Sequence, residues 1–467
     1  MELKTQETQA VAIVPPPTLL TRIRGFLRAS LGIDRAIAFT VLARLWSSSA
    51  GLVTLALIAR FLTPAQQGYY YLFGSIVALQ IVFELGFSVV ILQMASHESA
   101  HLTLSLDGQI SGDPISHQRL ASVLQRSIRW YSTAAVLMTV CLLPIGIRFF
   151  RDNHADTHVK WLLPWCLVVL ASGLTFQIDP IFSFMEGCGY VSKIAKTRLG
   201  QSIAGSILAW GALSLHHGLF APGLIICGQA LVGIAFVLRY RKLLLNLFRH
   251  PARDHRITFR EVWPFQWRIA VSWISGYFIF QLFNPVLFKY WGPVAAGQMG
   301  MTLTISGAIS AISMAWVNTK AAPFGQMIAR KEFAKLDHVF FRALPQSVGL
   351  CFLGCLTVWS TVFYLHLHHS PYANRVVSVL PLAMLFLVTT TGQITFGQAV
   401  YLRAHKHEKF LINSVVGAIC MALSTILLGR RFGILGMASG YLATSLIVGV
   451  GFGTWTFFKY RRIWHST

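Results

Sequence analysis

The sequence predicts an all-α polytopic membrane protein of about 12 transmembrane helices, arranged as two six-helix lobes related by a parallel internal repeat. Three observations carry that reading. Of 467 residues, 55% are hydrophobic and only 12% charged, against about 25% charged in a soluble domain. Apolar runs recur from Ala36 to Phe458, each near the ~20 residues that cross a hydrocarbon layer about 30 Å thick. A short motif after the first run returns in the second half. Soluble catalytic domains are excluded, because no connecting segment is long enough to bury a core of its own.

Residues 1–35 read as a cytoplasmic tail. Pro15, Pro16 and Pro17 interrupt any signal-peptide core, and no small-residue cleavage site follows one. Arg22, Arg24 and Arg28 then interleave with Leu19, Leu20, Ile23, Phe26 and Leu27, as in a helix lying on an anionic membrane surface. The N-terminal lobe, 36–240, holds spans near 36–60, 68–96, 130–150, 161–185, 199–217 and 222–240. Tyr69, Tyr70 and Tyr71 open its second span as an interfacial aromatic belt. A basic linker, 241–262, carries few apolar anchors beyond Leu243, Leu244, Leu245, Leu247 and Phe248. A surface helix there would tie the lobes together while letting them rock, and an anionic-lipid contact is equally economical. The C-terminal lobe, 263–458, holds spans near 265–289, 297–320, 344–365, 376–401, 411–428 and 433–458, and a short tail, 459–467, ends the chain.

Lys and Arg number 39 and Asp and Glu 16, a formal charge of +23. In a soluble protein this would suggest nucleic acid; here it reports topology, and no nucleic-acid partner is read from it. With the amino terminus cytoplasmic, 27 bases fall on the cytoplasmic side and 8 outside, leaving Arg44, Arg129, Arg268 and Lys320 in or at the edge of spans. Loop bases concentrate on the cytoplasmic side of membrane proteins, so both termini are placed in the cytoplasm and the span count is even.

The repeat is explicit. Arg60-Phe61-Leu62-Thr63-Pro64-Ala65-Gln66-Gln67-Gly68 returns 229 residues later as Lys289-Tyr290-Trp291-Gly292-Pro293-Val294-Ala295-Ala296-Gly297. The base marks the water interface, the proline stops the helix and the glycine allows a tight re-entry. Gly218-Leu219-Phe220-Ala221 matches Gly433-Ile434-Leu435-Gly436 at an offset of 215. The difference is absorbed by the long connection from His97 to Gln125. Six spans per half make the repeat parallel.

The segment from Arg60 to Tyr71, followed by Glu84-Leu85-Gly86, resembles the first two spans of bacterial oligosaccharide flippases of the multidrug, oligosaccharidyl-lipid and polysaccharide exporter superfamily. The sharp matching covers about residues 44–96, and the two-lobe pattern covers nearly the whole chain. The resemblance implies a central cavity, alternating access, undecaprenyl-diphosphate-linked glycan as cargo, a bacterial cytoplasmic (inner) membrane, and glycan polymerase and export machinery as partners. It implies no cofactor. Major facilitators also have twelve spans in a parallel repeat, but carry a short Gly-Asp-Arg-rich turn where this chain has the long His97–Gln125 segment.

Arg44 lies about nine residues into the first span, ~13 Å deep at ~1.5 Å per residue. An arginine at that depth needs a watery cavity or an acid. Its fork of donors suits a diphosphate, and an internal pair with Glu84 is the alternative. Arg268 is shallower and is able to snorkel; Lys320 closes the list of cationic cargo candidates. Gln281 and Asn284 are candidates for sugar hydroxyls, with interhelical hydrogen bonding as the alternative for them and for Asn318, Gln393 and Gln398. Glu84, four residues after Gln80 and on the same helix face, and Asp179, before Pro180, are the candidates for ion coupling, with packing or an ion pair as the alternative for Glu84 and a hydrogen bond to freed backbone as the alternative for Asp179. His366, His368 and His369 lie without a nearby cysteine or acid, so no metal site is expected. The seven cysteines lack metal-ligand spacing.

Three function classes follow: a lipid-linked glycan flippase, a multidrug or cation-coupled exporter of the same superfamily, and a membrane glycan polymerase or ligase. The last needs a sizeable outer loop, and no outer loop exceeds about a dozen residues, so no enzymatic activity is expected. Topology is directly testable. In a cysteine-free background, an impermeant thiol reagent applied to intact cells is expected to label Ser370→Cys and spare Ala252→Cys; the reverse pattern would overturn the orientation.

Overall fold

In hydrocarbon every backbone N–H and C=O must be satisfied within its own segment, so an apolar run that crosses a membrane folds as a helix. The computed structural model describes residues 35–104, 109–153, 159–249, 259–405 and 409–465. The amphipathic stretch from Thr18 to Leu31 and linker residues 250–258 lie outside the described residues.

The N-terminal lobe comprises α1 (Arg35–Phe61), a second span broken into α2 (Pro64–Val77), α3 (Gln80–Glu84) and α4 (Phe87–Ser99), then α5 (Pro114–Asn153), α6 (Leu162–Gly187), α7 (Val191–Ser214) and α8 (Ala221–Arg239). A short helix α9 (Arg241–Arg249) follows. The C-terminal lobe comprises α10 (Phe259–Phe280), α11 (Phe283–Asn318), α12 (Ala321–Ala329), α13 (Phe333–Leu367), α14 (Val379–Ala404), α15 (Leu411–Thr444), a π-helical segment (Ser445–Phe452) and α16 (Gly453–His465). Two of these helices change direction at a non-helical glycine, α11 at Gly292 and α15 at Gly433. Splitting them there, joining α10 to the first part of α11 and the second part of α15 to the π-helical segment and α16, and reading α2 to α4 as one broken span, gives six spans per lobe beside the short helices α9 and α12.

Local chemistry sets the ends. Thr63 caps α2 through a reciprocal box, its hydroxyl accepting from the Gln66 amide at 3.2 Å and the Gln66 side chain accepting from the Thr63 amide at 3.0 Å, with Pro64 at the first helical position. The expected loop between spans two and three is instead built structure. Strands β1 (Leu102–Leu104) and β2 (Ile110–Gly112) pair antiparallel, with Thr103 opposite Ser111. Asp113 then caps α5, accepting from the Ser116 amide and hydroxyl at 2.9 Å each. Those bonds, the amide foremost, hold the Asp113 carboxyl below its ordinary pKa. Helix α5 therefore starts well before the span predicted at 130–150, and its first turns extend beyond that span.

Helix α9 buries Leu243, Leu244 and Leu247, and Gln125 on α5 donates to the Phe248 carbonyl at 2.9 Å. The first part of the basic linker is thus docked on the N-terminal lobe.

The lobes meet where the repeat predicted a pair of turns. Gly68 is helical, and its role is close approach rather than re-entry: a methyl group there would overlap the Pro293 carbonyl. A methyl group on Gly297 would lie 2.8 Å from the Gly68 nitrogen. The turn itself falls to Gly292, at φ +82°, a conformation that L side chains rarely adopt. Two repeat-equivalent glycines therefore face each other across the lobe interface, Gly68 in the first turns of α2 and Gly297 just after the Gly292 bend of α11. Tyr69 is fully buried and packs edge-on against Phe288 at 4.9 Å, so it belongs to the interlobe core and not to an interfacial belt. Gln67 clamps the rim, donating at 2.9 Å to the carbonyls of Gly297 and Arg375. Burial of the Arg375 guanidinium under this rim lowers its pKa. The lobes touch again where Gly86, at φ +68°, packs on Ile269 of α10.

The crossing predicts a steep local cost. Gly68→Ala is expected to destabilise the detergent-purified protein by about 1–3 kcal/mol through overpacking, read as a lowered Tm. Gly51→Ala, where an added methyl meets nothing within 4 Å, is expected to leave Tm unchanged or raise it. Equal Tm values for the two variants would remove Gly68 from the crossing.

Candidate functional site

Each lobe assembles its polar groups differently. In the N-terminal lobe, helix geometry fails at Leu85 and Gly86, both with positive φ (52° and 68°), and this break leaves Glu84 at the last turn of α3. Ser88 donates to Glu84 Oε1 at 2.7 Å and Tyr131 of α5 donates to the same oxygen at 3.4 Å. Asp179 on α6 lies within electrostatic reach of Glu84 and Arg198, so the two acids read separately from the sequence converge around Tyr131. Arg198 itself pairs with Glu186 at 3.2 Å.

Arg44 does not pair with Glu84 and makes no ion pair with a described residue. It is exposed and shares a face of α1 with Thr40, Ser47, Ser48 and Gly51, at spacings of i−4, i+3, i+4 and i+7. The neighbouring face packs on α7, through Trp46 against Trp210 at 6.1 Å and the Ser47 and Ser202 hydroxyls at 2.9 Å. Leu42, Leu45, Leu52 and Val53 cover the remaining side and are exposed, as suits lipid.

The C-terminal lobe holds a cavity of about 820 Å³ that runs from the lobe interface to the C-terminal end of α14 and the N-terminal end of α15. Two irregular segments shape it. Gln281 sits at the break between α10 and α11, and the π-helical stretch contributes Ser445, Val448 and Gly449 to the wall; such departures from α geometry are tolerated at membrane depth where they line a cavity. Asn284 donates to Ser75 of α2 at 2.9 Å, across the lobe boundary. The remaining amide oxygen of Asn284, the Ser306 hydroxyl and the Asn413 amide oxygen have no partner among the described residues, although these side chains are only 6%, 6% and 7% exposed. Unpaired buried polar atoms are costly, so their convergence on one cavity marks it as a place for a hydrogen-bonding occupant. Among the described residues, Arg403 is the cation in the lining, and no carboxylate lines it.

Of the predicted residues, Gln281 and Asn284 line this cavity, whereas Arg44, Arg268 and Lys320 do not. Arg268 is exposed with its guanidinium over Trp267 at 5.6 Å. Lys320 sits at the break before α12. Gln393 and Gln398 are spent on interhelical bonds, to Ser310 and Thr454 at 2.9 Å each. Sequence reasoning missed Ser306, Asn413 and Arg403. Asn413 gave a signal, as an amide near the start of an apolar run; Arg403 was hidden by its place among cytoplasmic bases.

With this geometry the fold is similar to that of solved multidrug transporters and of a lipid flippase. It is similar to an inward-facing multidrug resistance MATE family transporter of the MOP superfamily, at TM-score 0.63 and 13% identity, over 96% of this chain and 99% of that one. It is also similar to the lipid II flippase MurJ in an inward closed conformation, at TM-score 0.59 and 13% identity, over 91% and 87% of the two chains. A third match is the MATE multidrug transporter DinF-BH, at TM-score 0.56 and 13% identity, over 92% and 96%. No protein-family model and no curated relative matches the sequence. These three neighbours are described as transporters and flippases, and none of them as an enzyme.

The cavity can be probed from water. Gly307 lines it, and an added Cβ there meets nothing within 4 Å; Ser347 is fully buried, donating to the Ser313 carbonyl at 2.8 Å. In a cysteine-free background, Gly307→Cys is expected to react with a small hydrophilic thiol reagent and Ser347→Cys to resist it. Equal protection of both positions would show that the cavity is closed to water.

Proposed function

We propose that the protein is a flippase that moves a lipid-linked glycan, of the undecaprenyl-diphosphate type, across a bacterial cytoplasmic membrane by alternating access. The observation that carries this reading is the C-terminal cavity: buried amide and hydroxyl groups with unused hydrogen-bonding capacity, one arginine and, among the described residues, no carboxylate in the lining. Sugar hydroxyls satisfy such groups as donors and acceptors, whereas a cationic drug gains nothing from them and is repelled by the guanidinium. Arg44, exposed on the polar face of α1, supplies a second fixed positive charge for a diphosphate. No covalent step is required of any of these groups.

The lobes 36–240 and 263–458 act as the two rocking bodies, with both termini cytoplasmic. Glu84 and Asp179 serve as the coupling pair, their shared environment binding one proton or cation more readily than two negative charges remain together. The same pair favours the second reading, a cation-coupled multidrug exporter, because acids in a lobe interior hold cationic ligands.

Arg44 separates the two. In proteoliposomes carrying a lipid-linked oligosaccharide, Arg44→Ala is expected to cut glycan translocation by about 10- to 100-fold, equivalent to ~1.4–2.7 kcal/mol, with protein abundance unchanged. Arg44→Lys is expected to retain partial activity, keeping the charge and losing the fork. Normal glycan movement by Arg44→Ala would remove Arg44 from the cargo site, and export of a cationic dye by the wild type without glycan movement would overturn the flippase reading.

A further inference from the structure

The outer ends of the C-terminal lobe carry a group of cations that topology does not explain. Only 8 of the loop bases fall on the outer side by the charge count, and three of them, Lys289, Arg430 and Arg431, meet at one place. They come from two different turns with the same construction. Lys289-Tyr290-Trp291 precedes Gly292 at φ +82°, and Arg430-Arg431-Phe432 precedes Gly433 at φ +59°.

Contacts lock the two turns together. Trp291 donates its indole N–H to the Gly429 carbonyl at 2.9 Å, and Gly433 lies so close to the Trp291 ring that an added Cβ would sit 2.9 Å from it. Lys289 Nζ and the Arg430 guanidinium flank the same ring, Tyr290, at 5.4 and 5.6 Å, while Arg431 lies over Phe432 at 5.4 Å. Among the described residues no carboxylate forms an ion pair with any of the three, and all three are exposed. The rings beneath them are exposed as well: Tyr290 by 40%, Trp291 by 51% and Phe432 by 53%.

We propose that this cluster is a binding site for the phosphate head group of an anionic lipid in the outer leaflet. The turns between spans lie at the membrane interface, where exposed Tyr and Trp rings sit at head-group depth. There three unpaired cations attract a lipid phosphate, and the two guanidinium forks match its oxygens bidentately. A soluble anion would make no use of the exposed rings. The pseudo-symmetric turns of the N-terminal lobe serve as an internal comparison. They offer only Arg60 over Phe61 at 5.6 Å, with the His216 ring 5.6 Å from the same phenyl.

The test uses the full chain in nanodiscs doped with phosphatidylglycerol bearing a photoreactive group near its phosphate, with crosslinks mapped to peptides. Crosslinks are expected on the segments around Tyr290–Trp291 and Phe432–Leu435, and not when phosphatidylcholine carries the same group. Lys289→Gln, Arg430→Gln and Arg431→Gln are each expected to weaken the crosslink about 5-fold, and the triple variant on the order of 100-fold. Arg430→Lys combined with Arg431→Lys is expected to stay within a few-fold of wild type, as is Arg60→Gln. The single variants carry the comparison should the triple variant not accumulate. Crosslinking of undiminished strength in the glutamine variants, or equal crosslinking by phosphatidylcholine, would overturn the proposal. So would full displacement of the lipid by inorganic pyrophosphate, which would assign the site to a soluble anion. Because no transport is measured, the outcome is independent of which cargo the protein moves.

Discussion

Helices α2 and α11 approach closely at Gly68 and Gly297 because neither residue projects a side chain into the crossing. In lipid, helices gain little from hydrophobic association, and small residues that allow backbone contact are a main source of packing energy. Much else is positioned by this approach. It brings Tyr69 under Phe288, sets Gln67 against the Gly297 and Arg375 carbonyls, and places Ser75 beside Asn284 at the top of the C-terminal cavity. The crossing lies near the start of α2 and just past the Gly292 bend of α11, so this end of the lobe interface is packed while the cavity extends toward the C-terminal end of α14 and the N-terminal end of α15. Under the proposed alternating access, this is the contact that has to open.

The pseudo-symmetry of the backbone does not extend to the chemistry. The N-terminal lobe breaks its second span and gathers Glu84, Ser88, Tyr131 and Asp179 around the break. The C-terminal lobe breaks its first span at Gln281, turns its last into a π-helix, and lines the resulting space with amides, hydroxyls and Arg403. Under the proposed function, acids in one lobe and amides, hydroxyls and Arg403 in the other suit a division of labour, with coupling in one and glycan recognition in the other. The broken elements are where a helix bundle is able to present backbone and side-chain polar groups without exposing them to lipid.

How much of this was legible in the sequence follows from what periodicity reports. Apolar run lengths and the charge asymmetry gave the twelve spans, and the motif repeated at 229 residues located the pair of segments that form the lobe contact. The role of Gly68 was misread, because a glycine after a proline looks the same in a turn and at a helix crossing; only the partner helix distinguishes them. Tyr69 was taken for an interfacial residue for a similar reason, since span ends are wet in an isolated helix and buried when another lobe covers them. The hairpin between β1 and β2 lay in a segment too short and polar to show a pattern. Gln281 and Asn284 stood out as amides in apolar runs and do line the cavity, whereas Arg403 was indistinguishable from the bases that set topology. Arg44 stood out by depth, and the polar face it shares with Thr40, Ser47, Ser48 and Gly51 is visible in the spacing alone.

The central proposal is that the lobes rock so that the α2–α11 crossing opens and closes. The most direct measurement is a pair of spin-label distances in proteoliposomes, one across the outer rim between Ala65 and Val294 and one across the cytoplasmic side between Ser96 and Arg330. During turnover with lipid-linked glycan, the account predicts that the outer distance lengthens as the cytoplasmic one shortens, in one population. An outer distance that stays short and narrow while glycan is translocated would contradict it.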